Sequence, residues 1–353
     1  MVRQRPTKGG LPMKPSIADW PAVSIIIITK DRREDLDRCL ESLRQVDYPG
    51  ERLQIVIVEE CDQPRDPGNV DYVVIPRENR GWGYARNIGI RHARHNLFVF
   101  TDDDCLFETN WLKELVSPLE GDIAGVSGGV LVKDANAVGC SEIVLGFPNG
   151  GLLRIHAAQG HIVDTTGMST CNCLYKRAVF DRMGGFVDTR NTRGEDMEFA
   201  QRAVREFRFV FNPDAIVYHK PRGSLAKVFK WFVERGKSQF MISDYLKDRR
   251  RHLLYNLQNS MSLRLLLIVG LLAALGPWRW PVLMLLIPAY YLFILKRFAF
   301  QHHYLKRTDS LLMTPIVKIV MDVGMEIGRL LQVRHNLVTQ IRRTGKRPEE
   351  VAQ

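Results

Sequence analysis

Between Phe98 and Asp104 the chain reads Phe-Val-Phe-Thr-Asp-Asp-Asp, an apolar, β-prone run that ends in three consecutive carboxylates. The first half calls for burial. The second half resists it, because a buried acid is costly without a partner or a metal. Side chains alternate along a strand, so Asp102 and Asp104 can point the same way while Asp103 points elsewhere. Two hard oxygen donors on one face suit Mg2+ or Mn2+, whose remaining positions substrate phosphates commonly fill. The plainer alternative is a solvated turn at a strand end.

The flanking pattern favours the first reading. Val23–Thr29 is a continuous β-branched run, as expected of a strand covered on both faces. Asp35 then precedes a helical pattern with Leu36, Cys39, Leu40 and Leu43 on one face. Leu53–Val58 and Tyr72–Ile75 read as further strands, 83–93 as a helix and Leu97–Phe100 as the next strand. This alternation predicts an α/β architecture with a mainly parallel sheet, whose ligands sit beyond the strands' C-terminal ends. Thr29, Glu59 and Asp102 all fall at such ends. Strands are expected at 123–132 and 170–174, a helix at 195–205, and two short strands at 209–211 and 216–218.

Beyond Lys220 the pattern changes to long helical segments with basic flanks. Two apolar runs, 263–275 (with Arg264) and 280–295, are separated by Gly276-Pro277-Trp278-Arg279. Each is shorter than the roughly 20 residues a comfortable bilayer crossing needs, so a re-entrant or interfacial hairpin with both ends cytosolic is expected. Buried helices of a soluble protein are the alternative. Arg249-Arg250-Arg251 precedes the runs and Lys296-Arg297 follows them. A third segment, 311–331, carries Lys318, Asp322, Glu326 and Arg329, and reads as amphipathic and surface-lying.

Charge supports that division. The net +11 is uneven: residues 22–219 hold 23 basic and 30 acidic side chains, and the remainder holds 27 and 9. A nucleic-acid reader would carry its positive charge on the recognition domain; here anionic lipid is the more economical partner, and no nucleic acid is expected. The six cysteines form no C-x-x-C pair, and Cys171 and Cys173 read as semi-buried thiols on a strand. Residues 1–20 lack the apolar core of a secretory signal and read as a flexible basic arm, which suits a reducing, cytosolic setting. Three regions result: an arm at 1–21, an α/β domain at 22–219, and a helical, basic, membrane-associated region at 220–353 with its apolar hairpin at about 263–295.

Four further motifs bear on chemistry. Asn79-Arg80-Gly81-Trp82-Gly83-Tyr84-Ala85-Arg86 imitates a dinucleotide fingerprint, but Arg86 stands where the third glycine belongs. Its glycines still allow close backbone approach at a helix start, where a pyrophosphate can be held, and Arg86 offers a charge-assisted contact or pairs with a carboxylate. Arg235-Gly236-Lys237-Ser238 imitates the end of a P-loop, yet Trp231 replaces its first glycine and no strand precedes it. Glu195-Asp196 opens a helix, where acids are commonly only caps. His219 ends a strand and becomes a candidate ligand beside a metal.

In this order the elements resemble the family 2 inverting glycosyltransferases of GT-A fold. The resemblance spans 23–219 and rests on the Val23–Asp31 strand and turn, the Asn79-x-Gly81 to Gly89 segment and Asp102-x-Asp104. It continues through Asn172, Gly184-Gly185-Phe186, Glu195-Asp196 and Val217-x-His219. It implies nucleotide contacts from Thr29, Asp31 and Glu59, joined by Asn79, Gly81, Arg86, Asp102 and Asp103. It further implies Mn2+ or Mg2+ on Asp102, Asp104 and His219, and a general base at Asp196 with Glu195 beside it. The expected partners are a nucleoside-diphosphate sugar, a UDP-sugar favoured, a lipid-linked or glycan acceptor, and membrane lipids. The expected place is the inner membrane or the cytoplasmic face of the plasma membrane. Glu59-Glu60-Cys61-Asp62 stands where the family commonly has Asp-Asp-Gly-Ser, which bears on the base, and no Gln-x-x-Arg-Trp motif is present, which favours single-sugar transfer. Two rivals remain at this stage: a catalytically inactive sugar-nucleotide-binding membrane scaffold, and a metal-dependent nucleotidyltransferase. The latter should carry a glycine-rich loop after its first strand, and Thr29-Lys30-Asp31-Arg32 has no glycine.

Overall fold

The computed structural model describes residues 20–64, 68, 70–188, 193–241 and 260–344. The N-terminal arm up to residue 19, residues 190–192 of the segment before Glu195, and Arg249–Arg251 lie outside the described residues.

Four parallel strands form the first half of the sheet, in the order β3 (Asp71–Ile75), β2 (Leu53–Glu60), β1 (Val23–Thr29) and β4 (Leu97–Asp102). All seven residues of β1 are buried, and they serve two layers. Ile25 and Ile27 enter one core with Leu36, Leu40, Val99, Trp111 and Leu115. Ile26 and Ile28 enter the other with Val56, Val58, Phe98 and Phe100. This is the period of two expected of a strand with both faces covered. Helix α1 (Arg33–Leu43) covers one face with the four residues the sequence pattern names, and α2 (Trp82–His92) covers the other. Gly89 fits α2 against β1, since a Cβ there would meet Ile26 Cγ2.

The second half is mixed. β4 pairs antiparallel with β8 (Asn172–Lys176), followed by β6 (Ile123–Leu131), β9 (Arg208–His219) and β5 (Cys105–Phe107), and β7 (Val163–Thr165) pairs with β9. The sheet is therefore a mixed one, with its parallel order confined to one half and to the β6–β9 pair. The two short strands expected at 209–218 are one strand with an irregularity: Asn212 stands opposite Gly128 and Ile216 opposite Gly129. Cys171 lies just before β8 rather than on it. Short helices α3 (Trp111–Val116), α4 (Ala137–Val144), α5 (Gly151–Ala158), α6 (Arg177–Met183) and α7 (Glu195–Ala203) fill the connections.

The C-terminal helices join the same core. Val228 and Phe232 of α8 (Leu225–Met241) are buried with Val317 and Met321 of a 37-residue helix, Thr308–Thr344. That long helix runs against α8 and also against α4, where Thr314 Oγ1 donates to Ser141 Oγ at 3.3 Å. The expectation of a surface-lying segment at 311–331 is thus corrected: one face of it, with Thr314, Val317, Met321, Glu326 and Arg329, is buried in protein. Gly236 and Gly328 explain the close approach, because a Cβ at either would run into the backbone carbonyl of Met325 or Val233 respectively. The P-loop imitation at Arg235–Ser238 is a helix-packing device.

The apolar runs form α9 (Met261–Ala274), a short 3-10 turn at Gly276–Trp278 and α10 (Arg279–Arg297). Turn and second helix together run 22 residues, Gly276–Arg297, uncharged but for Arg279, Lys296 and Arg297, long enough to cross a membrane by length and composition, and only 6% of the best stretch is buried. That length revises the short-hairpin expectation. The helix runs past the apolar run at both ends, taking in the turn before it and Lys296-Arg297 after it. Leu266, Leu271, Trp278, Met284 and Leu285 are each 69–76% exposed, which no buried-core role would leave.

Candidate active site

Parallel pairing brings three strand ends level. Thr29 stands opposite Glu59, and Ile28 opposite Asp102. β4 stops at Asp102, and Asp103 and Asp104 make the turn into β5. Asp103 is drawn inward: its carboxylate accepts from Thr29 Oγ1 at 2.6 Å and pairs with Arg32 Nη1 at 2.8 Å. Burial pushes that carboxyl up to about 7, against the pull of Thr29 and Arg32. Asp102 and one oxygen of Asp104 stand toward His219 at the end of β9, while the other Asp104 oxygen pairs with Arg32. The imidazole Nε2 is 3.3 Å from Asp104 Oδ1 and 3.9 Å from Asp102 Oδ2.

The protonation of this cluster is constrained. His219 Nδ1 lies 2.9 Å from the Lys220 carbonyl oxygen, so Nδ1 carries a proton and donates it. In the neutral ring Nε2 is then a bare lone pair aimed at two carboxylates. Asp104 Oδ1 is buried and has no hydrogen-bond partner. Two lone pairs at 3.3 Å repel, so a second ring proton or a metal cation has to lie between them. Oxygen, oxygen and an imidazole oriented by a backbone carbonyl is a donor set that fits a divalent ion. Cys171 completes the surroundings: the ligand atoms of Asp102, Cys171 and His219 all lie within 4.8 Å of one another.

Behind these acids, Arg86 is buried on α2 and pairs with Glu195, while its Nη2 stands 3.7 Å from Asp102 Oδ1. Burial pushes the Glu195 carboxyl up, opposed chiefly by Arg86. Glu195 also accepts from the Gly194 N–H at 3.0 Å. Asp196 is half-buried at the start of α7, and one of its oxygens accepts from Met197 N–H at 2.8 Å. Its charge bears on both Asp102 and Arg86.

An open cleft of about 590 Å³ adjoins the acids. Arg32, Arg33, Arg77 and Lys220 line it together with the four acids Asp31, Glu34, Asp35 and Asp62. Asp31 has φ +56° and pairs with Arg77 on the cleft wall. Glu59 is buried at the strand end and accepts from Tyr72 OH. Asn79 accepts from Lys30 Nζ at 2.6 Å, and Glu60 pairs with the same amine at 2.8 Å. Gly81 opens α2 with φ +94°. The rest of that glycine motif is structural. A Cβ at Gly83 would strike the Val187 carbonyl, and Asn87 exchanges hydrogen bonds of 2.8 and 2.9 Å with the backbone of Phe186.

The structure thus gathers Asp102, Asp104 and His219 at one point, with Arg86, Glu195 and Asp196 behind it. Thr29 and Asp103 are joined, and Asp31, Glu59, Asn79 and Gly81 stand along the neighbouring strand ends and turns. Sequence reasoning missed Arg32, which spans Asp103, Asp104 and Asp35. It also missed Tyr72 and Cys171. Arg32 lies three residues beyond the end of β1, and Cys171 directly precedes the motif residue Asn172, but neither position by itself points to the acids.

A mixed sheet whose parallel strand ends converge on acids beside a cleft of charged side chains is the arrangement of the GT-A glycosyltransferase fold. Residues 24–184 match the Glycosyl transferase family 2 model. The chain carries a family 2 glycosyltransferase domain and is a glycosyltransferase. It is 25% identical over 250 residues to Glycosyltransferase AglE of Haloferax volcanii, covering 65% of this chain and 77% of that one. It is 24% identical over 239 residues to a dolichyl N-acetyl-alpha-D-glucosaminyl phosphate 3-beta-D-2,3-diacetamido-2,3-dideoxy-beta-D-glucuronosyltransferase of Methanococcus voltae, covering 62% and 72%. Among solved structures, the mannosyltransferase PcManGT of Pyrobaculum calidifontis, in complex with GDP-Man and Mn2+, superposes with a TM-score of 0.58 over 90% of each chain. At 18% identity that likeness is one of fold.

Proposed function

We propose that this glycosyltransferase moves a single sugar from a nucleoside-diphosphate sugar to a hydroxyl of a lipid-linked or membrane-emerging glycan, with inversion and with a divalent ion at Asp102, Asp104 and His219. The observation that carries the reading is the His219 Nε2 standing 3.3 Å from the buried Asp104 Oδ1 and 3.9 Å from Asp102 Oδ2, beside a cleft lined by charged side chains. A divalent ion there supplies Lewis-acid neutralisation of the leaving diphosphate. Arg32, Arg33, Arg77 and Lys220 add positive charge along the path of the nucleotide, and the Thr29 and Glu59 strand ends lie beside it. Glu195 has its oxygens engaged by Arg86 and Gly194, which leaves Asp196 as the carboxylate to take the acceptor proton. One base activating direct attack gives a single displacement, hence inversion.

Two findings favour a lipid-linked acceptor. The Methanococcus voltae relative is named for a dolichyl-phosphate-linked acceptor, and the outward face of α9 and α10 is apolar and exposed. The same face supports attachment to the cytosolic leaflet of a membrane. The PcManGT complex holds GDP-Man, so a GDP-sugar stands beside the favoured UDP-sugar as donor. The test is a thermal-shift screen of the full-length chain in detergent against UDP-, GDP- and dTDP-sugars, with and without Mn2+. One donor should stabilise the chain only when the ion is present, and Asp104→Asn should abolish that shift while leaving the ion-free melting point near the wild-type value. An unchanged metal-dependent shift in Asp104→Asn would sink the assignment. Release of pyrophosphate instead of a nucleoside diphosphate would point to nucleotidyl transfer.

A further inference from the structure

Cys171 is the one member of the acid–histidine cluster that the proposed chemistry does not use. It is 3% exposed, with its Sγ 3.8 Å from that of Cys105 and within 4.8 Å of ligand atoms of both Asp102 and His219. Metal bonds of about 2.0–2.4 Å to nitrogen, oxygen and sulfur place the ligand atoms of one ion about 3–4.5 Å apart. The cluster is therefore close to the size of a filled coordination shell. Beside it, the Asp104 side chain is 7% exposed and its Oδ1 faces His219 Nε2 at 3.3 Å without a hydrogen bond, which places the need for a cation at the same point.

We propose that Cys171 is a ligand of this site, making it a mixed oxygen, nitrogen and sulfur site that prefers thiophilic and borderline ions to Mg2+. The inference rests on the metal reading of Asp102, Asp104 and His219 and adds a sulfur donor beside Asp102 and His219. Magnesium is a hard ion that takes oxygen and keeps its waters, so a sulfur near its shell contributes little. Zinc, cobalt and cadmium gain from a soft ligand, and affinity at such sites rises from manganese through cobalt to copper, with zinc below copper and above manganese. As the sulfur–metal bond forms, the thiol proton leaves to solvent, so binding of a soft ion releases one proton more than binding of a hard one. The consequence is a trap. Zinc or cadmium should displace the working ion and occupy the site tightly.

The test is cobalt(II) chloride added to the full-length chain in detergent, read by absorption and by equilibrium dialysis. Wild type should bind cobalt and show a thiolate-to-cobalt charge-transfer band in the near ultraviolet alongside weaker visible bands. Cys171→Ser should lose the charge-transfer band, keep the visible bands, and bind zinc at least about tenfold more weakly, with magnesium affinity changed by less than about threefold. Cys173→Ser should keep the band. Should Cys171→Ser not fold, zinc-edge X-ray absorption on the wild-type chain still decides, since a sulfur neighbour at about 2.3 Å is distinct from nitrogen and oxygen at about 2.0–2.2 Å. Bound cobalt without a thiolate band, or zinc without a sulfur neighbour, overturns the role of Cys171 and leaves the metal site standing. Failure of wild type to retain any cobalt overturns both.

Discussion

Asp196 and Glu195 are neighbours in sequence with different surroundings, and their surroundings assign their roles. Glu195 is locked to buried Arg86, whereas Asp196 is half-buried at the mouth of α7. Asp196→Asn should therefore keep donor and metal binding and lose transfer by about 10²–10⁴, measured as product formed under saturating donor. Arg86→Met makes a different prediction. It leaves a carboxylate 5% exposed without its cation, and loss of one partner of a buried pair costs about 3–5 kcal/mol. Burial already raises the Glu195 carboxyl, and Arg86 opposes that rise. In Arg86→Met the folded state holds the Glu195 proton where the unfolded chain has lost it, so the variant's stability should rise as pH falls from neutrality toward the ordinary carboxylate range. Urea titrations at several pH values check the sign. Adding Glu195→Gln to Arg86→Met should remove most of this pH dependence. The acids were legible in sequence because an apolar strand that ends in three carboxylates is a local pattern, although only Asp102 is on the strand and the turn, not strand alternation, sets Asp103 apart from Asp104. Arg32, Tyr72 and Cys171 were not. Arg32 and Cys171 meet the acid cluster through pairing across about 70 residues, and no local pattern encodes that.

At the scale of elements, glycines decide how the C-terminal helices dock. Gly328 faces the Val233 carbonyl and Gly236 the Met325 carbonyl, so both obstacles are backbone that cannot rotate away. Gly328→Ala should push the long helix off α8 and destabilise the chain by about 1–3 kcal/mol, the range for overpacking a close contact. Gly270→Ala on α9, where nothing lies within 4 Å, is the control and should be neutral or slightly stabilising by helix propensity. Equal effects from the two substitutions would refute a packing role for Gly328. The alternation of strands and helices, and the α1 face, could be read from periodicity because each covers the sheet through a regular apolar spacing. The destination of the 308–344 helix could not. Its polar residues Ser310, Thr314, Glu326 and Arg329 look solvent-facing in sequence, yet they are buried because α4, α8 and the start of α9 supply them with partners or cover.

For the whole molecule, the shared core between the sheet and the 308–344 helix changes how membrane attachment has to be tested. Deleting everything after residue 250 would strip Val317 and Met321 from the core that Val228 and Phe232 occupy, and the loss of attachment would be confounded with unfolding. Point changes on the outward face avoid this. Met284 and Leu285 are 76% and 70% exposed, and Leu266 is 69% exposed, so polar replacements there remove apolar surface without opening the core. The full-length chain should sediment with membranes and stay there in high salt, because screening weakens the contribution of the net positive charge but not burial at about 25 cal/mol per Å². Detergent should release it. Leu266→Ser, Met284→Lys and Leu285→Lys together should shift the chain toward the soluble fraction while leaving its melting temperature and its metal-dependent donor binding near wild type. Transfer to a lipid-linked acceptor should fall in that variant, and transfer to a short water-soluble acceptor should fall much less. If the wild-type chain stays soluble without detergent and elutes as a larger assembly, the apolar face joins copies of the protein to each other, and a soluble acceptor becomes the better assignment.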